Sequence, residues 1–549
     1  YCSKQCQEAH WPTHKKDCKH PYNRSDWKPT WVAQNRSPAF VGEDLSPQVH
    51  FGAHHAPEYL WGNTPAADCL QLEHNEGVAQ SIDKDLNLCF AASGDIRNMI
   101  KTVNGLPEDY RGRCKIILND RSPLVSTRNI LILYALLRDG PTIECAAETA
   151  VHLMYSSALC PRNSSELRHC VQNLYGDLMY LPDSPAFRSI IAIRGRGTLS
   201  MQQYICALVA QTLPMLRATH SVQETRKAMH SVMLCPERVD YRDRYLFGLE
   251  PRDRLSFLRF RESGILLPYG EDLGKLLFSA AGKWFSMDSA NPLFSWDLGE
   301  VVKTGQAHGL DRADVYGCLF FHVKAQFMKF ASRFERFQID IHVSQFDASA
   351  ASELLQKGEL YPSLFNKDTK FDRIETSNIA DFLGIPRVLG DWSPLINRGN
   401  RHASILVYLM NWFLRQPGAS TMDPVGVKKT LIPMKKICSV LVRLVSALQT
   451  IALSADRCNP DTILIYSHLD SFLDNHAQLQ EFLESDGANG AIELHRLRLK
   501  ARNQVNPRRF GIALGDCPDA LPSMTKSEFY NAYILGGCDA GVRFLEFTP

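Results

Sequence analysis

Four residues near the start of the chain have the types and spacing of a metal site: Cys2, Cys6, His14 and Cys18, in the order C-x3-C-x7-H-x3-C. Thiolates and an imidazole nitrogen are the donors that structural zinc prefers, held tetrahedrally at about 2.0 to 2.3 Å. A segment this short buries no core of its own, so bound metal has to supply most of its folding free energy. Farther along, His54-His55 has no other ligand beside it and reads as solvent-exposed.

The residues between those ligands are as specific as the ligands. Tyr1-Cys2-x3-Cys6-Gln7-x3-Trp11-x2-His14-x3-Cys18 resembles the second half of a MYND-type zinc finger, meeting that pattern at every position. The resemblance implies Zn2+ as cofactor, with Cys2 and Cys6 on one ion and His14 and Cys18 on a second. A full finger has two further cysteine pairs upstream, which would precede Tyr1. As written, each site has half its ligands, or all four gather on one ion. The resemblance also implies that Gln7 and Trp11 line a groove for a proline-containing peptide. A Trp ring offers a flat apolar face for such a segment; packing within the finger is its competing use. Lys15 and Lys16 read as solvated. Some MYND proteins are lysine methyltransferases with a SET domain, but no Asn-His-Ser-Cys-type signature of that domain occurs here.

A second constellation follows from a change of period. Leu86 to Ala92 reads as a short apolar strand, Ser93-Gly94-Asp95 as a turn, and Ile96 to Asn104 as a helix closed by Gly105. A second strand, Cys114 to Leu118, ends in Asn119-Asp120. A strand, glycine turn and helix, then a strand ending in an acid, opens a parallel α/β sheet. This order resembles a class I S-adenosylmethionine-dependent methyltransferase with a large helical insertion after its second strand. The resemblance implies Gly94, with Asp95 beside it, at the cofactor turn, and Asp120 on the ribose hydroxyls. It places Asp347 at the end of the third strand, on the adenine side, and Phe371 to Ile374 at the entry to the fourth. The chain departs from that family's G-x-G-x-G turn: Ala92-Ser93-Gly94-Asp95-Ile96 keeps one glycine, and the side chains of Ala92 and Ile96 narrow the methionine's space. Thr376-Ser377-Asn378-Ile379 stands where many amino-methylating enzymes carry Asn-Pro-Pro-Tyr, and Asn378 reads as a cap for a helix from Ile379.

Trp61-Gly62-Asn63-Thr64-Pro65-Ala66, Ala91 to Asn98 and Phe371 to Asn378 are similar to words in a family of fungal MYND-finger proteins of uncharacterised function. The glycine-turn domain is also similar to that of a dynein axonemal arm assembly factor family, whose turn is closer to G-x-G-D-x-R. These likenesses cover most of the chain from Trp61 onward. They speak to fold, and fold does not fix activity.

The elements that must position these residues divide the chain into five stretches. Residues 1–18 are the half-finger, and 19–60, rich in Pro, Asn and His, read as a linker. Residues 61–122 begin the Rossmann-like sheet, 123–337 form the helical insertion, and 338–549 complete the sheet with a helical C-terminal part. Thr64 and Pro65 have the chemistry of a helix start, with Gly77 at its end. Helical periodicity runs through Arg128 to Leu137, Ala146 to Leu159, Leu199 to Leu213 and Val315 to Phe337. Strands are expected at Gln338 to Val343, Phe371 to Thr376 and Ala403 to Tyr408. Helices follow around Val427 to Leu453 and Leu479 to Lys500, and β-like runs at Arg509 to Leu514 and Arg543 to Phe547.

Composition narrows the function classes. The 549 residues are 45% hydrophobic and 22% charged, ordinary globular values. A net charge of +2 lends no support to a nucleic-acid partner. The longest apolar runs fall short of the roughly 20 residues a membrane span needs. The chain opens with Tyr and shows no basic-then-apolar leader, the mark of a fragment or a trimmed start. Thirteen cysteines outside the finger are scattered without paired spacing. They read as reduced, and the compartment as intracellular, cytoplasmic or nuclear. Neither G-x-S-x-G nor H-E-x-x-H occurs, and Gly270 to Leu276 is one residue short of a phosphate loop. The expectation is therefore a zinc-binding adaptor that docks a proline-containing protein partner through its finger, with the α/β domain as scaffold. An S-adenosylmethionine-dependent methyltransferase is the alternative.

Overall fold

The structure is a computed structural model that describes residues 3–40, 61–156, 158–159, 161–180, 187–190, 193–202, 205, 238–270, 277–278, 291–429, 431–440 and 458–549. His54-His55 and the residues from 271 to 276 lie outside that set. The described strands are β1 (Leu86–Phe90), β2 (Arg113–Asn119), β3 (Ala158–Leu159), β4 (Phe187–Ile190), β5 (Thr198–Gln202), β6 (Leu277–Phe278), β7 (Gln338–Ser344), β8 (Arg373–Glu375), β9 (Ser404–Leu409), β10 (Arg498–Leu499) and β11 (Arg543–Thr548).

Nine of these form one sheet in the order β10-β11-β9-β8-β1-β2-β7-β5-β4, while β3 and β6 pair separately. From β9 across to β5 every neighbour is parallel; β11 runs antiparallel to β9, as β10 does to β11 and β4 to β5. Chain order reverses at β1, flanked by β2 on one side and β8 on the other.

Because successive strand side chains point to opposite faces, the parallel strands feed two separate cores. Leu88, Phe90, Ile116, Leu118 and Ile341 pack under the helices Arg97–Asn104, Pro123–Leu137, Ile143–Tyr155 and Val315–Arg336. Cys89, Ile117, Ile374, Ile405 and Val407 pack on the other face, against Ala348–Lys357 and Ile385–Trp392. Burial on both faces explains why these strands read as continuous apolar runs without alternation.

Three sequence expectations change. No helix begins at Thr64: residues 61–77 are irregular. Their backbone donors are satisfied by tertiary partners, which removes the drive to form a helical ladder. Ala66 N–H reaches the Ser295 carbonyl at 2.9 Å, Ala67 the Asn98 side chain at 3.0 Å, and Cys69 the Thr102 hydroxyl at 2.9 Å. Gly77 sits in a turn at φ +87°. Second, the insertion is not uniformly helical, since Leu199 opens no helix but lies in β5, parallel to β7. Leu199 and Met201 are buried on one side, and Ser200 bonds His342 at 2.9 Å on the other. That alternation is a strand's. Most of the run from Tyr204 to Leu213 lies outside the described residues, as do residues 441–457. Third, Arg509 to Leu514 is irregular, and Leu479 to Lys500 divides into helices His476–Ser485 and Ala488–Leu494 followed by β10.

The stretch read as a linker is docked over its described part, 19–40. Trp31 and Phe40 are buried against Ile463. Polar anchors hold the remainder: Thr30 N–H and Oγ1–H donate to Asp243 at 2.7 and 2.6 Å, and Arg36 grips Asp240 with two bonds of 2.5 and 2.7 Å. A segment fixed by two buried acids and one indole carries no hydrophobic period to read.

Candidate functional site

The half-finger is built on one helix, Lys4–Cys18, with Pro12 inside it. Residues four apart share a helix face, and the structure brings His14 and Cys18 together on that basis: His14 Nε2 lies 3.0 Å from Cys18 Sγ. Cys6 belongs to the same helix, but its side chain, like all of Cys2, lies outside the described residues. Among the described residues no three His, Cys, Asp or Glu side chains converge as a metal cluster. Gln7 and Trp11 are again four apart; both are exposed, Trp11 to 49%. Its ring stands 5.9 Å from the His14 ring.

Contacts with Tyr269 and Arg259 tie this helix to the body, the His14 ring meeting that of Tyr269 edge-on at 6.5 Å. Asp17, only 4% exposed, accepts a bond from the Tyr269 hydroxyl at 2.6 Å and pairs with Arg259. The helix is thus held one residue from Cys18.

The second site lies at the carboxyl ends of the parallel strands, where β1, β2 and β8 meet. Ligands of open α/β sheets bind in the crevice at this reversal of strand order. Gly94 sits in the turn after β1 at φ +54°, a conformation that favours glycine, and a Cβ there would meet nothing within 4 Å. The structure brings Gly94 and Asp120 together: Asp120 accepts the Gly94 N–H at 3.0 Å and the Ser122 N–H at 2.9 Å. Asp347 is exposed at the same sheet edge, after β7, and caps helix Ala348–Lys357 through the Ser349 N–H at 2.9 Å.

Asp95 faces elsewhere. It is 2% exposed and takes the Gly62 N–H at 2.8 Å, the Arg97 N–H at 3.0 Å and Arg97 Nη1 at 2.7 Å. Arg97 in turn donates to the Thr64 carbonyl and hydroxyl at 3.2 and 3.3 Å. A Cβ at Gly62 would fall inside the Arg97 guanidinium. The sequence words containing Trp61 to Ala66 and Gly94 to Asn98 are therefore one interlocked unit, and Asp95 serves that latch. Asn378 does not cap through an accepting side chain; its amide donates to Asp381 at 3.4 Å.

Three residues that matter here were not among the sequence candidates. Asn119 holds the strand ends: its amide donates to the Ala91 and Phe346 carbonyls at 2.9 and 3.0 Å, and its oxygen takes the Ser344 hydroxyl at 3.0 Å. Glu375 ends β8 and is buried; desolvation raises its carboxyl to about 8, opposed by the Ser377 N–H that it accepts at 2.8 Å. Ser377 adopts φ +49°, unusual for a residue with a Cβ. Arg97, the third, follows an Asp by two positions, a spacing that signals a local ion pair. Nothing local marks Glu375, because its neighbours in the sheet are β1 and β9, through Phe90 and Leu406.

Residues 60–159 match a family model described as a domain of unknown function (DUF4470). That span includes the Gly62–Asp95–Arg97 latch, the Gly94 turn, β1, β2 and Asp120. No curated protein and no solved structure matches the chain.

Proposed function

We propose that this protein is a zinc-binding docking adaptor, in which the finger helix offers Gln7 and Trp11 to a proline-containing partner and the α/β body acts as scaffold. The observation that carries this reading is the pairing of His14 Nε2 with Cys18 Sγ at 3.0 Å on a helix whose Trp11 remains half exposed. An imidazole and a thiol side by side are a donor set that suits Zn2+. When bound, the metal supplies a rigid cross-link and no reaction. His14 and Cys18 would hold it with Cys2 and Cys6, leaving Gln7 and Trp11 to make the peptide contact. The described residues contain no helix long and apolar enough to cross a membrane. The ten cysteines whose side chains are described are free thiols, in keeping with a reducing intracellular setting, cytoplasmic or nuclear.

The body reads as Rossmann-like, of the class I methyltransferase kind. Support comes from the run β7-β2-β1-β8-β9, which in order of appearance within the core sheet is 3-2-1-4-5. The scaffold role rests on the site's own bonds: Asp95 is consumed by Arg97, and both Asp120 oxygens are engaged with backbone N–H groups of the turn and the following helix. A methyltransferase reading is favoured by one observation, the open space in front of Gly94.

Elemental analysis of the chain, extended upstream, and titration with a proline-rich peptide test the adaptor reading. Stoichiometric zinc that falls in Cys18→Ser, and peptide affinity that drops about tenfold, roughly 1.4 kcal/mol, in Trp11→Ala, are expected. Absence of zinc from the extended chain would end the proposal. Calorimetry with S-adenosylmethionine decides between the two readings of the body: tight binding abolished by Asp120→Ala would replace the scaffold with an enzyme.

A further inference from the structure

A cavity at the same sheet edge carries an inference independent of the finger. It lies beside β11, whose first residue, Arg543, pairs with Leu409 at the carboxyl end of β9. The cavity is small and open to solvent at its mouth, and Asn475, His476, Arg509, Asp519, Leu521 and Arg543 are among its lining residues.

Arg509 and Arg543 are 4% and 2% exposed, and among the described residues neither has a carboxylate within ion-pair distance. Arg509 spends its Nη groups on the carbonyls of Leu473, Asp470 and Ser471, at 2.8, 3.2 and 3.2 Å. Arg543 donates to the carbonyls of Ala540 and Val542, both at 2.8 Å, and to the Asn475 side-chain oxygen at 2.5 Å. A guanidinium has five N–H groups, so donors remain on both, and the buried Nε of Arg509 has no partner. Burial and the neighbouring Arg509 both disfavour the charged form of Arg543. Asp470 and Asp474 act on Arg509, and Asp539 and Asp470 on Arg543, only at a distance; the Asp470 carboxylate accepts from Ser420 Oγ–H and Thr421 N–H at 2.6 and 2.7 Å.

Two further groups stand at the cavity wall. The ten-residue helix His476–Ser485 begins here, and its N-cap Asn475 makes no side-chain cap bond, since that side chain is committed to Arg543 and to the Ala419 carbonyl. The helix N-terminus contributes positive potential, and its first N–H, that of His476, donates to Asp474 Oδ1 at 3.3 Å. His476 Nδ1 is buried without a partner. Buried cations are ordinarily paired, because an unpaired charge costs several kcal/mol, of order the Born penalty after relaxation. This floor holds two.

We propose that the cavity binds a small monovalent inorganic anion of the chloride class. The exposed Asp474 and Asp519 at the rim set the charge limit: they disfavour a dianion such as sulfate, while a single negative charge on the floor answers both guanidiniums. The anion is a structural ligand that bridges the loop before helix His476–Ser485, the Arg509 segment and the start of β11.

Bromide is the probe. In crystals of the full chain soaked in sodium bromide, an anomalous peak is expected between the Arg509 and Arg543 guanidiniums; an empty map there overturns the proposal. In solution, thermal unfolding is compared in sodium chloride, sodium sulfate and sodium gluconate at equal ionic strength. Stabilisation that rises with the logarithm of chloride concentration, and is lost in Arg509→Gln, is expected. Equal stabilisation by gluconate, or a preference for sulfate, refutes the assignment. If Arg509→Gln does not fold, the bromide map on the unaltered chain decides.

Discussion

Arg373 at the start of β8 and Glu76 in the irregular segment before β1 form a two-pronged ion pair, 2.8 and 3.0 Å long, with side chains 1% and 4% exposed. Arg373 also donates to the carbonyls of Cys69 and Leu70 at 2.9 and 3.1 Å. One guanidinium thus fastens a segment without secondary structure of its own to a central strand. Asn400 adds a bond to Glu76 at 3.0 Å.

Removing one partner of such a pair leaves the other charge buried and alone. Glu76→Gln is expected to cost about 3 to 5 kcal/mol at pH 7. Attraction to Arg373, with hydrogen bonds from Arg373 and Asn400, outweighs desolvation and holds the Glu76 carboxyl down at about 2, against 4.5 when unfolded. A depressed acid contributes stability in full above its unfolded value, and loses it as pH falls toward the folded one. The deficit of the variant should therefore shrink between pH 4.5 and 2. Denaturant melts at several pH values check this; a deficit constant across that window refutes it.

Glu375 gives the opposite sign. Burial raises its carboxyl from 4.5 to about 8, so between those values the unfolded chain releases a proton that the folded chain keeps. Stability from this group is complete below pH 4.5 and declines as pH rises through 8. Glu375→Gln keeps an acceptor for the Ser377 N–H and removes the titration. Its melting temperature is expected to exceed that of the parent at pH 8 and to approach it at pH 5. A variant less stable than the parent at both would show that the carboxyl is needed ionised.

How much of this was legible follows from where the determining contacts lie. β1, the Gly94 turn, helix Arg97–Asn104, β2 and its terminal Asp120 are contiguous, so apolar runs and a glycine suffice to place them. The helix expected at Thr64 fails because its N–H groups bond to Ser295, Asn98 and Thr102, partners that no local pattern reveals. β5 was hidden by the same cause: Ser200 is a strand residue because His342 and the parallel strand β7 are there to receive it. Asp95 looked like a ligand residue by position in the turn, and its burial against Arg97 and Gly62 shows in three dimensions only.

That latch supports a third prediction. Arg97→Ala leaves Asp95 buried without its counter-charge, and a loss of about 3 to 5 kcal/mol is expected. Arg97→Lys should recover only part, because an ammonium lacks the fork that reaches both Asp95 and Thr64. Gly62→Ala should be comparably damaging, as its methyl group and the guanidinium claim one space. Chemical denaturation of the three variants is the measurement. Additive losses in Gly62→Ala/Arg97→Ala would refute a shared contact, since residues that touch do not act independently.

The finger helix offers the most direct link between packing and function. Asp17 is held by Tyr269 and Arg259, one position from Cys18 and three from His14. Asp17→Asn weakens the charge-assisted contact, and Tyr269→Phe removes one donor while leaving the ring. Each is expected to loosen the helix by about 1 to 3 kcal/mol. The body should remain folded, because Trp31, Asp240 and Asp243 anchor the chain farther on. Limited proteolysis should then cut faster within residues 3–18, with the main melting transition unmoved. Proline-rich peptide affinity separates two roles for the clasp. If docking orients Trp11 toward the partner, affinity falls with the loosening; if docking only stores the helix, affinity is unchanged or rises as Trp11 gains freedom. The adaptor reading takes the first outcome as its expectation, since a peptide groove that depends on a fixed indole loses binding energy when the helix carrying it must be ordered on contact.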